Sequence, residues 1–305
     1  MKRPDDVLGR NMTKTELGRL GIWRPWSRLD PALAKDVEDL GYGAIWVGGS
    51  PAGDLDDIER LLAATDRIVV ATGIVNMWKT PAEEVAASYH RLNDAHGGRF
   101  LLGVGIGHPE RTREYRSPYE TIVRYLDDLD AGNVPAEGRV LAALGPRVLR
   151  LAAERAAGAH PYLTTPEHTR HAREVLGDGP LLVPEQKVVV DPDPVRARAL
   201  GRRTLDHYLQ LGNYVSSWKR LGFTGADVAD GGSDALVDAV IAHGDAAAVA
   251  ARLTGHLDAG ADQVAVQVLT APGGDPRPAL RSIAETLPPR GKPRGKPRGK
   301  PRGKG

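Results

Sequence analysis

Eight short apolar runs, nearly all followed by a helical stretch, constrain this chain more than any other feature of it. The runs are Leu17–Ile22, Gly43–Val47, Ile68–Val75, Phe100–Ile106, Arg139–Leu144, Ala159–Leu163, Val183–Val190 and Gln263–Leu269. Helical patterns occupy Asp30–Leu40, Asp54–Ala64, Thr80–His96, Pro146–Ala156, Thr165–Leu176, Asp193–Leu211, Asp245–Ala259 and Pro278–Leu287. Several open on Asp-Pro, Thr-Pro or an acidic first turn, the start signals of a capped helix. Strands that are continuous apolar runs, rather than alternating ones, belong to a parallel sheet covered on both faces. Eight such units predict an α/β fold of the (β/α)8 TIM-barrel type, with an open doubly wound sheet as the alternative. The stretch Gly212–Gly232, before the last strand, is too long for a simple connection. It predicts an insertion acting either as a lid or as an extra packing helix.

The 305-residue length suits one barrel spanning residues 1–289, with a separate tail at 290–305. That tail repeats Gly-Lys-Pro-Arg and has no apolar side chain to bury, so it is expected to be disordered. It is read either as an arm for polyanions or as a solvated extension. It holds eight of the 41 Lys and Arg, which leaves 33 against 39 acids elsewhere. A mildly acidic body is not the footprint of a specific nucleic-acid binder. The absence of Cys excludes disulfides, thiolate nucleophiles, iron–sulfur clusters and Cys-based zinc sites, so redox chemistry requires a borrowed cofactor. No run of about 18 apolar residues and no leader-like segment is visible, so a cytoplasmic protein without membrane contact is expected.

In a barrel of this type, reacting groups sit at the carboxyl ends of the strands. Glycine recurs there: Gly48-Gly49-Ser50, Gly73-Ile74 leading to Asn76, Gly105 to Gly107, and Ala143-Leu144-Gly145. Glycine is poor strand chemistry, but its missing Cβ lets a flat ring lie against backbone. Leu144-Gly145-Pro146 places a glycine before a helix that starts with proline, an anion seat suited to a phosphate. His108, among glycines at the end of strand four, is the candidate for proton chemistry. Trp23, Trp26, Trp78 and Tyr115 are candidates to wall a pocket for a planar organic substrate. Glu185 and Gln186 interrupt the seventh run. They either reach a ligand or pair with backbone or Lys187. No metal motif is present, nor any GxSxG, SxxK or complete GxGxxG.

Together these segments resemble the bacterial luciferase-like monooxygenase superfamily, most closely its coenzyme F420-dependent oxidoreductases. The carriers are GYGAIWVGGSP, RIVVATGIVNMWKTPAE, GGRFLLGVGIGHPE, LAALGPRVLRLAAERAAGAHPYLTTPEHT and GDAAAVAARLTGHLDAGADQVAVQVL, within Leu17–Pro288. The resemblance implies an enzyme on a luciferase-like barrel, with F420 or alternatively FMN at the strand ends and hydride transfer to or from a small organic substrate. It places a bulge, often with a non-prolyl cis peptide, at Gly73-Ile74 behind the ring. Gly49, Ser50, Asn76, Gly105 and Ala143 would line the cofactor, with its phosphate at Leu144-Gly145. His108 would be the proton donor, and Glu185 would join Trp23, Trp26, Trp78 and Tyr115 around the substrate. Sugar-phosphate dehydrogenase relatives carry an acid and a histidine after strand two. Gly48-Gly49-Ser50 departs from that pattern and argues against such a substrate. A homodimer is compatible with this reading, and so is a non-catalytic member that keeps only the cofactor pocket.

Overall fold

The computed structural model describes residues 17–107 and 117–289. Its elements, in chain order, are β1 (Leu20–Pro25), α1 (Pro31–Asp39), β2 (Ala44–Gly48), α2 (Asp56–Ala63), β3 (Val69–Thr72), β4 (Val75–Asn76), α3 (Ala82–Ala95) and β5 (Phe100–Gly105). There follow α4 (Pro118–Ala131), β6 (Arg139–Leu141), α5 (Pro146–Arg155), β7 (Gly158–Ala159), α6 (Pro166–Leu176), β8 (Leu181–Leu182) and β9 (Glu185–Val190). The last are α7 (Pro194–Tyr208), α8 (Gly212–Arg220), α9 (Asp234–Val240), β10 (Ile241–Gly244), α10 (Ala246–Asp258), β11 (Val264–Val268) and α11 (Arg277–Thr286).

The strands run parallel in the order β11-β1-β2-β3-β5-β6-β7-β8, with β4 continuing β3 beside β5. What closes the ring is the stretch Leu181–Val190, two strands in one stave. On one edge, Leu181, Val183 and Glu185 N–H groups donate to Ala157, Ala159 and Pro161 carbonyls at 2.7, 3.0 and 2.8 Å. On the other edge, Asp262 and Ala265 N–H groups donate to Leu182 and Pro184 carbonyls, and β9 then pairs with β11. The result is the eight-staved TIM barrel. β10 is an unexpected strand, added where the far half of β9 runs free of β7.

Burial follows from the continuous apolar runs, since β2, β3 and β5 are buried along their whole length. Leu17, Trp46, Val69, Leu101, Val140, Leu181, Val183 and Ala265 fill the inside of the ring. A larger cluster packs the ring against its helices, and a third lies under the segment containing α7 to α9. Here Tyr214 and Trp218 of α8 are buried, so the Gly212–Gly232 insertion supplies a packing helix. At the amino-terminal end of β3, the buried Glu38 carboxylate accepts the N–H groups of Asp66, Arg67 and Ile68. Burial alone would raise its pKa, but those three donors and Lys35 outweigh it and hold it at about 2.

Among the differences from the expected elements are a shifted strand and a missing helix. Strand one runs Leu20–Pro25 rather than Leu17–Ile22, which puts Trp23 inside the strand, facing the ring interior. Helix α4 is absent from the expected set, although Ile122, Tyr125, Leu126 and Leu129 share one buried face. The tail at 290–305 lies outside the described residues.

Candidate active site

The carboxyl ends of the staves meet at one mouth, and Trp23 organises one side of it. Its indole lies across Gly48, where any Cβ would overlap the ring. Its Nε1–H donates to the Gly73 carbonyl at 3.0 Å. A Cβ on Gly73 would fall 2.9 Å from that nitrogen and 3.1 Å from His160 Nε2. A flat ring does rest against the strand-end glycines, as their lack of Cβ suggested, but at Gly48 and Gly73 it is the protein's own indole. Trp23 is correspondingly buried, at 8% exposure.

The Gly73–Ile74 peptide is cis, and both residues are half-exposed toward the mouth. The ladder beside this bulge is held by Thr72, whose hydroxyl donates to Gly103 O and accepts from Gly103 N, both at 2.8 Å. Ile74 and Ala142 fill the space beside Gly105. Asn76 Oδ1 accepts Trp78 N–H at 2.9 Å, while its amide end lies against Gly107. Gly49 and Ser50 both take positive φ, turning the chain beside Trp26, which is 43% exposed.

Gly145 differs from Gly48, Gly73 and Gly105, because nothing among the described residues lies within 4 Å of where its Cβ would be. It is the N-cap of α5 without a side-chain cap among the described residues; Pro146 has no N–H, the Val148 and Leu149 amides donate to the Gly145 carbonyl, and the Arg147 N–H is left unclaimed at the positive end of the helix. Ala143 is buried and Leu144 half-buried. The Leu144 carbonyl accepts His168 Nε2–H at 2.9 Å, tying the first turn of α6 to this corner. Thr164 Oγ1 and His168 Nδ1 are buried without a hydrogen-bond partner among the described residues. A phosphate-bearing group fits this corner, where an open glycine precedes a helix amino terminus with the Arg147 N–H unclaimed among the described residues.

The far wall carries a polar cluster. Lys187 Nζ lies 3.1 Å from Glu185 Oε1 and 3.1 Å from Gln267 Oε1, and sits 3.7 Å above the Tyr162 ring. Glu185 Oε2 accepts Leu163 N–H, so both carboxylate oxygens are engaged and the side chain is fully buried. Glu185 therefore faces Lys187 rather than open space. Burial pushes Lys187 down to about 8 and Glu185 up, while their mutual attraction opposes both shifts. Gln186 points the opposite way, to His256 and the Val240 carbonyl. His160 donates through Nδ1 to Val183 O at 2.7 Å and stacks on Trp46 at 4.3 Å. Burial lowers it to about 4, leaving a neutral ring with an unpartnered Nε2.

His108 and Tyr115 lie outside the described residues. Of the other expected positions, the structure brings Trp23, Gly73, Ile74, Asn76 and Gly105 together at the bulge. Leu144 and Gly145 form the open corner. His160, Tyr162 and Gln267 were not anticipated, and Lys187 was expected only as a partner for Glu185 or Gln186, a pairing that Glu185 makes. Period-two parity would have found Lys187 and Gln267, which share the inward face of their staves with Val183 and Ala265. Among the described residues no group of three His, Asp or Glu is placed to hold a metal, and no helix is long and apolar enough to cross a membrane.

Residues 30–129, from the first helix through α4, match the model of the luciferase-like monooxygenases. This segment holds Gly48 through Gly107, the bulge and its glycines. That stretch of the chain is similar to the luciferase-like monooxygenases. A curated relative, 4-hydroxyprotoasukamycin monooxygenase of Streptomyces nodosus subsp. asukaensis, is 34% identical over 95 residues, covering 29% of this chain and 24% of its own length. Solved structures with the same fold include an F420-dependent secondary alcohol dehydrogenase in complex with an F420-acetone adduct. It has a TM-score of 0.69 at 14% identity, over 90% of this chain and 99% of that one. Another is the FMN complex of the oxygenating constituent of 3,6-diketocamphane monooxygenase from Pseudomonas putida, with a TM-score of 0.64 at 15% identity, over 88% and 96% of the two chains. The barrel thus has both an F420-dependent enzyme and an FMN-bound monooxygenase constituent among its structural neighbours.

Proposed function

We propose that this chain is an F420-dependent oxidoreductase that moves a hydride between the deazaflavin and a small organic substrate. The observation that carries the reading is the open Gly145 corner at the same mouth as the half-exposed Gly73–Ile74 bulge. The α5 amino terminus would hold the phosphate end. Gly73, Ile74, Asn76 and Gly105 would support the ring, with Gly49, Ser50 and Ala143 at its margins. When bound, F420 supplies the hydride donor or acceptor that the twenty side chains lack. Trp23 fixes the bulge carbonyl and, with Trp26, Trp78 and Tyr115, would keep water from the reacting face. His108 would supply the proton, or remove it when the substrate is oxidised. A protein without a membrane or specific nucleic-acid partner, placed in the cytoplasm, suits this role, and a homodimer is compatible with it.

The motif resemblance selects F420 over FMN. An FMN-dependent monooxygenase on the same barrel is the second reading, supported by the match to a monooxygenase relative. Titrating purified protein with F420 and with FMN, followed by fluorescence quenching, separates the two. Micromolar F420 binding at least tenfold tighter than FMN is expected; the reverse order would overturn the assignment. Binding without turnover across a broad substrate panel, unchanged in His108→Ala, would instead mark a non-catalytic member.

A further inference from the structure

The polar cluster on the far wall has a direction that its donor and acceptor inventory fixes. The Lys187 ammonium can only donate, so the atom of Gln267 that faces it at 3.1 Å must be the amide oxygen. That same oxygen lies 3.0 Å from the Tyr162 hydroxyl, which must spend its single proton on it. The Tyr162 oxygen, 2.9 Å from Tyr208 OH, is then left to accept, and Tyr208 donates. With its oxygen held by two donors, Gln267 cannot flip. Its NH2 group is turned away from Lys187, has no hydrogen-bond partner among the described residues, and belongs to a half-buried side chain at the carboxyl end of β11.

We infer that the Gln267 amide NH2 is a binding site for a hydrogen-bond-accepting oxygen of the substrate, a carbonyl or its reduced alkoxide, and that Lys187 is the positioning residue that aims it. The inference deepens the oxidoreductase reading by naming what the substrate must present to the mouth. Glu185 balances the ammonium at 3.1 Å, so the lysine keeps its proton while wholly enclosed. Tyr162 packs on Trp23 at 5.2 Å, which places the donor beside the indole that holds the bulge. A ligand lying between the bulge and β11 would have an apolar wall on one side and a fixed N–H donor on the other. An alkene of the same shape would gain the wall and leave the donor unpaired.

The test needs no turnover. In the full-length 15N-labelled protein, with and without saturating F420, the Gln267 side-chain amide signals are identified by their loss in Gln267→Leu. Cyclohexanone is then titrated against methylenecyclohexane, its isostere without an acceptor. Cyclohexanone is expected to move the Gln267 signals saturably and the alkene to leave them in place, with ketone affinity at least tenfold weaker in Gln267→Leu. Lys187→Met leaves Glu185 buried and unpaired, so the double variant Glu185→Gln/Lys187→Met accompanies it. In the folded double variant the ketone-induced shift is expected to fall at least fivefold. Equal responses to the two probes, or no response to either, would overturn the site. A full ketone response in the folded double variant would overturn the role of Lys187. A preference for FMN over F420 would overturn the cofactor assignment alone, because the Gln267 signals report on the amide whichever cofactor binds.

Discussion

At the scale of single residues, the mouth is shaped by what its glycines admit. Gly48 is required because the six-membered ring of Trp23 lies where a Cβ would be, and strand β2 is a buried stave that cannot move aside. Gly48→Ala is expected to cost about 1–3 kcal/mol through overpacking. It should also push the Trp23 indole off the Gly73 carbonyl. Chemical denaturation reads the first effect and a red-shifted tryptophan emission the second. An unchanged midpoint with unchanged emission would show that the indole does not need that space. The sequence showed the glycines and suggested a flat ring against them. It could not show that the ring at Gly48 and Gly73 is Trp23, because that depends on the inward parity of a strand whose start was placed three residues early.

At the scale of elements, helix α5 separates folding from binding. Gly145 has extended backbone angles, φ −99° and ψ 156°, and open space around it, so an aspartate fits there as an ordinary N-cap. Gly145→Asp is expected to leave the melting temperature unchanged or slightly raised. Cofactor affinity should fall at least tenfold, since the added carboxylate occupies the phosphate seat and repels it. Calorimetry and the fluorescence titration together decide this: unchanged affinity would move the phosphate elsewhere. The helix start at Gly145-Pro146 was legible in the sequence because Gly-Pro before an amphipathic run is a local signal. Strand β10 was not, since Ile-Ala-His-Gly carries no strand periodicity and exists only because the far half of β9 offers it a free edge.

At the scale of the whole molecule, stability near neutrality depends on keeping buried histidines uncharged. Burial lowers His256 to about 3 and His160 to about 4 in the folded protein, while the unfolded chain titrates near 6.5. Below that value the unfolded chain takes up protons the folded one refuses, so stability is full above about pH 6.5 and falls as pH drops. Each histidine contributes a slope of about 1.4 kcal/mol per pH unit between roughly pH 6 and 4. Glu38, held at about 2, adds a further loss below about pH 4.5. Urea midpoints at pH 7, 5 and 4 should show this decline, and His256→Gln should flatten it. Parallel declines in the two proteins would mean that His256 is not held neutral by burial.

The eightfold alternation, the barrel, most of the helix starts and the glycine-marked strand ends were readable from the order of residues alone. They rest on periodicity and turn chemistry, which act over a few neighbouring positions. Which side chains meet inside the ring became visible only once the staves were in place. Trp23 lies 50 residues from Gly73, Lys187 lies 80 from Gln267, and Tyr162 lies 105 from Gln267. Such contacts depend on the register between staves and on the parity of each strand. A one-residue shift in either would turn Lys187 from the mouth toward the helices and leave no fixed amide at the end of β11.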